Sequence, residues 1–167
     1  DVALAMGADT VALTTGGRSE EFVKKFFNDT LPEHSLIQMG DFVGYAVQQC
    51  RIKKVKNVVI AGFIGKLTKM AMGVKQTHIK GSHVDMEFMA NLARDCAYSA
   101  DILSEIMKAN TARHVQEIIM EHGISGYFDM ICNHAYASLI KDDERTLNLQ
   151  IVMFDFDGKV CGLYPRK

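Results

Sequence analysis

Val58-Val59-Ile60-Ala61-Gly62-Phe63-Ile64-Gly65-Lys66 is the stretch that decides the fold. Four apolar residues run without alternation, stop at a glycine, and lead into a helical pattern from about Lys66 to Met72. A short, wholly apolar run closed by glycine suits a strand covered on both faces. The same arrangement occurs twice upstream. Val11-Ala12-Leu13-Thr14-Thr15 stops at Gly16-Gly17, and Ser19 is placed to cap a helix through Phe22, Val23, Phe26 and Phe27. Ser35-Leu36-Ile37-Gln38-Met39 stops at Gly40. Asp41 is placed to cap a helix carrying Phe42, Val43, Ala46, Val47 and Cys50, with cations at its far end, Arg51-Ile52-Lys53-Lys54. Strand–helix repetition of this kind predicts βαβ units with right-handed crossovers. The expected class is α/β: a three-layer parallel sheet of βα units, Rossmann-like.

Beyond these units the pattern changes. Residues 85–108 place Met86, Met89, Ala93, Cys96, Ala97, Ala100, Leu103 and Met107 on one helical face, with a break near Ser99. Val115, Ile118 and Ile119 mark a second helix; Phe128, Ile131, Cys132, Ala135 and Leu139 mark a third. Leu147, Leu149, Ile151 and Met153 then alternate as in a strand. Asp157-Gly158 is a hairpin signal, and Val160 to Tyr164 returns. The expectation is a parallel three-stranded unit, a helical segment, and a C-terminal antiparallel β-hairpin at the sheet edge. That free edge makes a homodimer possible in principle.

Composition narrows the function classes. The chain has 167 residues, 48% hydrophobic and 23% charged, which fits a folded domain with its own core. The net charge of −1 gives no basic field to attract nucleic acid or an anionic membrane. The longest apolar run, Val58 to Gly65, is too short to span a bilayer, and no signal peptide is visible. Cys50, Cys96, Cys132 and Cys161 form no C-x-x-C and lie in apolar contexts, as reduced thiols of a cytoplasmic protein do. The chain opens at Asp1 rather than Met. Residues 1–167 are therefore expected to be a single α/β domain, a piece cut from a longer protein.

In parallel sheets ligands bind beyond the carboxyl ends of the strands. All three such ends carry glycine here, which lets a ligand approach the backbone or simply makes a tight turn. None matches G-x-x-x-x-G-K-[ST] or a helix-opening G-x-G-x-x-G, so ATPase and ordinary NAD-enzyme readings lack their motifs. Asp41 has two compatible readings, as a helix cap or as a carboxylate gripping ribose hydroxyls. Arg18 and Lys66 lie at helix starts, where the macrodipole disfavours cations; they are solvated charges or they recognise substrate carboxylates or phosphates. The polar segment from Gln76 to Asp85 holds His78, His83 and Asp85. It reads as a loop with Asp85 capping the next helix, or as the source of a general base. The spacing of His78 and His83 is not that of a helical metal pair, and no metal site is expected.

Four stretches in this order resemble the CbiD family: Thr14-Thr15-Gly16-Gly17-Arg18-Ser19-Glu20, Gln38-Met39-Gly40-Asp41-Phe42-Val43-Gly44, Ala61-Gly62-Phe63-Ile64-Gly65-Lys66-Leu67-Thr68-Lys69, and Thr77-His78 with Val84-Asp85-Met86-Glu87-Phe88. Members are cobalt-precorrin-5B C1-methyltransferases of anaerobic cobalamin biosynthesis, and are longer than this chain. The resemblance implies methyl transfer from S-adenosylmethionine to a corrinoid small molecule whose cobalt belongs to the substrate. It implies that Thr15, Gly16, Gly17, Gly40, Gly62 and Gly65 line the adenosylmethionine crevice with Asp41 on the ribose. Arg18, Lys66 and Lys69 would hold the acetate and propionate arms of the macrocycle, and His78 with Asp85 would serve proton transfer. Two other readings stay open: a binding module without catalysis of its own, and a structural part of a larger enzyme.

Overall fold

The computed structural model describes residues 1–78, 83–96, 99–140 and 147–166. Five strands form one sheet in the order β2-β1-β3-β4-β5: β1 (Thr10–Thr14), β2 (Leu36–Gln38), β3 (Asn57–Gly62), β4 (Asn148–Phe154) and β5 (Val160–Tyr164). The first four in that order are parallel; only β5 runs against its neighbour. The helices are α1 (Val2–Ala5), α2 (Gly17–Phe26), α3 (Val43–Ile52), α4 (Ile64–Ala71), α5 (Met86–Asp95), α6 (Ala100–Met107), α7 (Ala112–Glu121) and α8 (Tyr127–Ile140).

Period-two alternation sorts each strand's side chains between two apolar clusters. Val11, Leu13, Val58, Ile60, Leu149, Ile151 and Met153 belong to the larger cluster, with α1 and α3 to α8. Ala12, Val59, Ala61, Val152 and Phe154 belong to the smaller one, where α2 supplies Phe22, Val23 and Phe26. The central strands β1 and β3 are thus covered on both faces, which is why they read as nearly unbroken apolar runs. Chain handedness explains the unequal layers. The step from β1 to β2 goes one way along the sheet through α2. The steps from β2 to β3 and from β3 to β4 go the other way. Right-handed crossovers in opposite directions must use opposite faces, so α3 and everything after it lies across the sheet from α2.

Several expectations need correction. The antiparallel pair expected at the sheet edge is β4 with β5, but β4 also pairs in parallel with β3 from Asn57↔Asn148 to Gly62↔Met153. The parallel unit has four strands, and β5 alone is the antiparallel edge. The β4–β5 loop is not a two-residue turn: it spans 155–159, organised by the buried Asp155 carboxylate, which accepts from Asp157 N at 2.9 Å and Lys159 N at 2.8 Å. Ser19 does not cap α2. The helix begins at Gly17, and the Ser19 hydroxyl turns back to donate to Gly16 O at 2.8 Å. Asp41 does not cap α3 either; the residue at the cap position is Phe42, with no side-chain bond. α4 starts two residues earlier than expected, at Ile64. Ile106, not Met107, is the buried residue of α6. The reading of Asp85 as a cap holds: it accepts from Glu87 N at 2.8 Å and Phe88 N at 3.3 Å. Ala97 of the helical stripe and Ile79 to Ser82 of the polar segment lie outside the described residues.

A candidate ligand cleft at the strand carboxyl ends

Register aligns the strand ends. Thr14 pairs with Gln38 on one side and Ala61 on the other, and Gly62 pairs with Met153. The sequence-predicted segments Thr15–Arg18, Gly40–Asp41 and Gly62–Lys66 therefore leave the sheet along one edge. The connections from β1 and β3 depart in opposite directions, which opens a crevice between them in folds of this kind. That edge has two halves of different character.

The β1–β2 half is an open shelf. A side chain added at Gly16 or Gly40 would meet nothing within 4 Å, and at Gly17 only Gln38 Nε2 at 3.7 Å. Gly40 also has φ +58°, a conformation that favours glycine. Gly62 differs from its companions. The Thr15 side chain occupies the space beside it, 2.8 Å from where a Cβ would stand, so its bareness serves the approach of β1 to β3.

The β3–β4 half is a cleft of about 400 Å³ whose walls include Phe63, Gly65, Lys66, Lys69, His83, Arg113 and Phe156. Phe63 and Phe156 stack with centroids 5.0 Å apart and planes 3° from parallel. The Arg18 guanidinium lies 5.7 Å from the Phe63 ring and 5.8 Å from those of Phe22 and Phe156, and donates to the Phe156 carbonyl. The Arg113 guanidinium lies 4.6 Å from the Phe156 ring. Arg113 stands in the first turn of α7, where the helix dipole opposes a cation; an ion pair to Glu117 at 3.0 Å offsets this.

Lys66 and Lys69 come from consecutive turns of α4. Lys66 Nζ forms an ion pair with Asp41 Oδ1 and donates to Thr77 O at 3.3 Å. The Thr77 hydroxyl donates to the same Asp41 oxygen at 3.1 Å, and Thr77 N donates to Asp41 O at 3.0 Å. The loop after β2, the start of α4 and the buried Thr77 are thereby held together. Lys69 is 6% exposed. Its ammonium donates to Thr77 O at 3.1 Å, and no carboxylate meets it among the described residues. Burial holds the pKa of both lysines below the ordinary lysine value; for Lys66 the neighbouring Lys69 charge adds to this. A buried ammonium with three donors and one acceptor is costly unless an anion completes it.

Asp41, Lys66, Lys69 and Gly65 are therefore brought together, and Arg18 adjoins them through the Phe63–Phe156 stack. Thr15, Gly16, Gly17 and Gly40 lie apart on the shelf. His78 follows Thr77 directly, is exposed and does not line the cleft, whereas His83 does. Asp85 is exposed and engaged as the α5 cap. Sequence reasoning missed Arg113, Phe156 and the anchoring role of Thr77. Arg113 and Phe156 are brought in from beyond residue 100, and no local motif marks them. No helix among the described residues is long and apolar enough to cross a membrane.

The chain is thus an open, mostly parallel α/β sheet with a cleft beyond its strand ends whose walls carry Lys66, Lys69 and Arg113. The family model described as "CbiD, C-terminal domain" matches residues 76–165, more than half of the chain. The chain belongs to the CbiD family. Among curated proteins it is similar to one of Geobacillus sp. (strain WCH70), 34% identical over 161 residues, covering 96% of this chain and 44% of the relative. It is similar also to one of Leptospira interrogans (strain Fiocruz L1-130), 40% identical over 159 residues, covering 93% of this chain and 42% of the relative. Both relatives are named cobalt-precorrin-5B C(1)-methyltransferase. The chain spans less than half the length of the curated relatives it matches. No solved structure matches it.

Proposed function

We propose that the chain takes part in methyl transfer from S-adenosylmethionine to C1 of cobalt-precorrin-5B in cobalamin biosynthesis, as the carboxyl-terminal part of a longer enzyme. The observation that carries this reading is the alignment of the strand ends on one edge. A bare backbone shelf stands at β1–β2 and a cation-lined cleft at β3–β4. Family membership and the names of the relatives supply the chemistry.

The shelf fits the methyl donor. Gly16, Gly17 and Gly40 leave open space over their Cα atoms, so the ligand can reach main-chain N–H and C=O groups there. Thr15 closes over Gly62 at the floor, Gly65 begins the passage into the cleft, and Asp41 offers the ribose the oxygen that Lys66 and Thr77 do not take. The bound donor supplies an electrophilic methyl group. The cleft receives the macrocycle: Lys66, Lys69 and Arg18 hold acetate and propionate arms, and the Phe63–Phe156 stack meets its flat face. Residues on both halves would hold donor and macrocycle side by side, and the donor would supply its methyl group to the ring carbon while the sulfur keeps the bonding pair. Alignment of this kind accounts for on the order of 7–11 kcal/mol of barrier reduction. His83, the histidine on the cleft wall, is placed to take up the proton that the ring must lose or redistribute, while His78 and Asp85 stand outside that wall.

The relatives' greater length favours a second reading, in which this part binds both ligands and turnover needs the rest of the polypeptide. Thermal shift tests what the two readings share. S-adenosylhomocysteine should raise the melting temperature of the chain. No shift with either S-adenosylhomocysteine or S-adenosylmethionine would reject the donor shelf. Turnover of cobalt-precorrin-5B by the chain alone would separate the readings.

A further inference from the structure

We infer that the apolar face built by α1, β2 and α3 is the docking surface for the amino-terminal portion of the CbiD polypeptide, the part that the relatives carry outside the matched region. α3 has two apolar faces. Val43, Val47 and Cys50 point into the core. Phe42 and Tyr45 stand outward, 59% and 65% exposed, where a lone three-layer domain would carry polar residues. They form a ridge between two cavities of about 490 and 540 Å³. Ile37 of the short β2 edge strand lies exposed along the first cavity, and α1 beside it exposes Val2 and Met6. Ile52 of α3 is exposed on the wall of the second cavity; the other large exposed apolar side chains among the described residues, Met107, Met120 and Val160, sit singly on three different elements. Apolar exposure is thus concentrated on one face, with an unpaired strand edge and a rim ion pair, Lys53–Asp1, beside it.

The occupant follows from size and description. The family model that matches is a C-terminal domain, and the relatives devote more than half of their length to polypeptide outside the match. Covalently joined domains share interfaces of roughly 600–1,500 Å². The ridge and its two grooves offer the apolar relief that such a contact needs. The first groove also reaches Gln38 and Met39, next to Gly40 and Asp41, so the docked portion would border the donor shelf. The inference rests on exposure and on the relatives' length, not on the methyl-transfer reading.

Site-specific photo-cross-linking in the full-length Leptospira interrogans relative tests it. A photoreactive phenylalanine is placed at the positions aligned with Phe42 and Tyr45, and a control at the position aligned with Lys25, exposed on α2. Cross-links within one molecule, from the first two positions to peptides outside the matched region and absent from the control, are the expected result. Glutamate at the first two positions should lower the melting temperature of the full-length relative by several degrees. Phe42→Glu and Tyr45→Glu in this chain should leave its melting temperature unchanged. Cross-links confined to a second copy, equal yield from the control, or no cross-link at all would overturn the inference. So would equal thermal effects in both proteins.

Discussion

Replacing Lys69 by methionine separates a residue kept for a ligand from one kept for the fold. The side chain is 6% exposed, its ammonium has one acceptor among the described residues, and burial already holds its pKa below that of an ordinary lysine. Lys69→Met keeps most of the stem's volume and removes the buried charge. Thr77 O retains the Lys66 donor at 3.3 Å, so no carbonyl is stranded. Exchanging buried charge for apolar volume is often neutral or stabilising by about 1–4 kcal/mol. A gain of about 1 kcal/mol in a chain of this size raises the melting temperature by roughly 2–4 °C. Binding should move the other way. A hydrogen bond to a charged group contributes about 1.5–3 kcal/mol, and about 1.4 kcal/mol is tenfold, so affinity for a carboxylate-bearing macrocycle should fall by roughly ten- to a hundredfold. Uroporphyrin, a flat tetrapyrrole bearing acetate and propionate arms, is the probe; its methyl ester is the control for ring contact alone. Titration is followed by quenching of the porphyrin fluorescence. A variant that binds uroporphyrin as well as the parent but melts lower would refute the assignment, because Lys69 would then serve packing.

Asp41→Ala should lower affinity for S-adenosylhomocysteine by at least about tenfold in calorimetry, since it removes both the ribose acceptor and the partner of Lys66; unchanged affinity takes Asp41 out of the site. Gly62→Ala and Gly16→Ala should part company. At Gly62 the new Cβ would stand 2.8 Å from Thr15, costing about 1–3 kcal/mol in a melting experiment. At Gly16 it meets no protein atom, so the fold should hold while the thermal response to S-adenosylhomocysteine shrinks. Proton linkage supplies a fourth check. The folded pKa of Lys69 lies below 10.5, so between that lowered value and 10.5 the unfolded chain binds more protons and stability rises with pH. A bound carboxylate restores the charged form. Uroporphyrin binding in that window should therefore take up protons, seen as a dependence of calorimetric heat on the buffer's ionisation enthalpy, and Lys69→Met should diminish it.

The sheet was legible because its information is local. Val11–Leu13 and Val58–Ala61 are apolar throughout, and a glycine follows close behind each; burial on both faces leaves little else they can be. β4 was harder. Leu147, Leu149, Ile151 and Met153 read as an alternating strand, but its parallel pairing with β3 is reached by a long crossover, five helices among its described residues, whose length no short pattern reports. Caps were misplaced for a similar reason. Asp41 and Ser19 have good capping chemistry, and in each case a different partner outcompeted the helix end. Asp41 finds Lys66 and Thr77; Ser19 finds the carbonyl of Gly16.

The same competition explains the site. Sequence reading treats Asp41 as a donor-binding carboxylate and Lys66 with Lys69 as substrate cations, as if the two sets were independent. Thr77 joins them: its hydroxyl meets Asp41, and its carbonyl meets both lysines. A ligand carboxylate drawn to Lys69 would therefore act on a network whose other end is Asp41, the residue proposed to meet the ribose. Neutralising the ammonium weakens its hold on Thr77 O and shifts the balance of the Asp41–Lys66 pair. The two halves of the edge are joined through four side chains, Asp41, Lys66, Lys69 and Thr77, and one carbonyl, which gives a physical route by which filling one half conditions the other. Linkage requires that coupling to be reciprocal. S-adenosylhomocysteine and uroporphyrin should each change the other's affinity by the same factor, and Thr77→Val, which keeps the carbonyl and deletes the hydroxyl, should bring that factor toward one. Equal coupling in parent and variant would mean that the halves communicate by some other path, or that the network only braces α4 against the loop after β2.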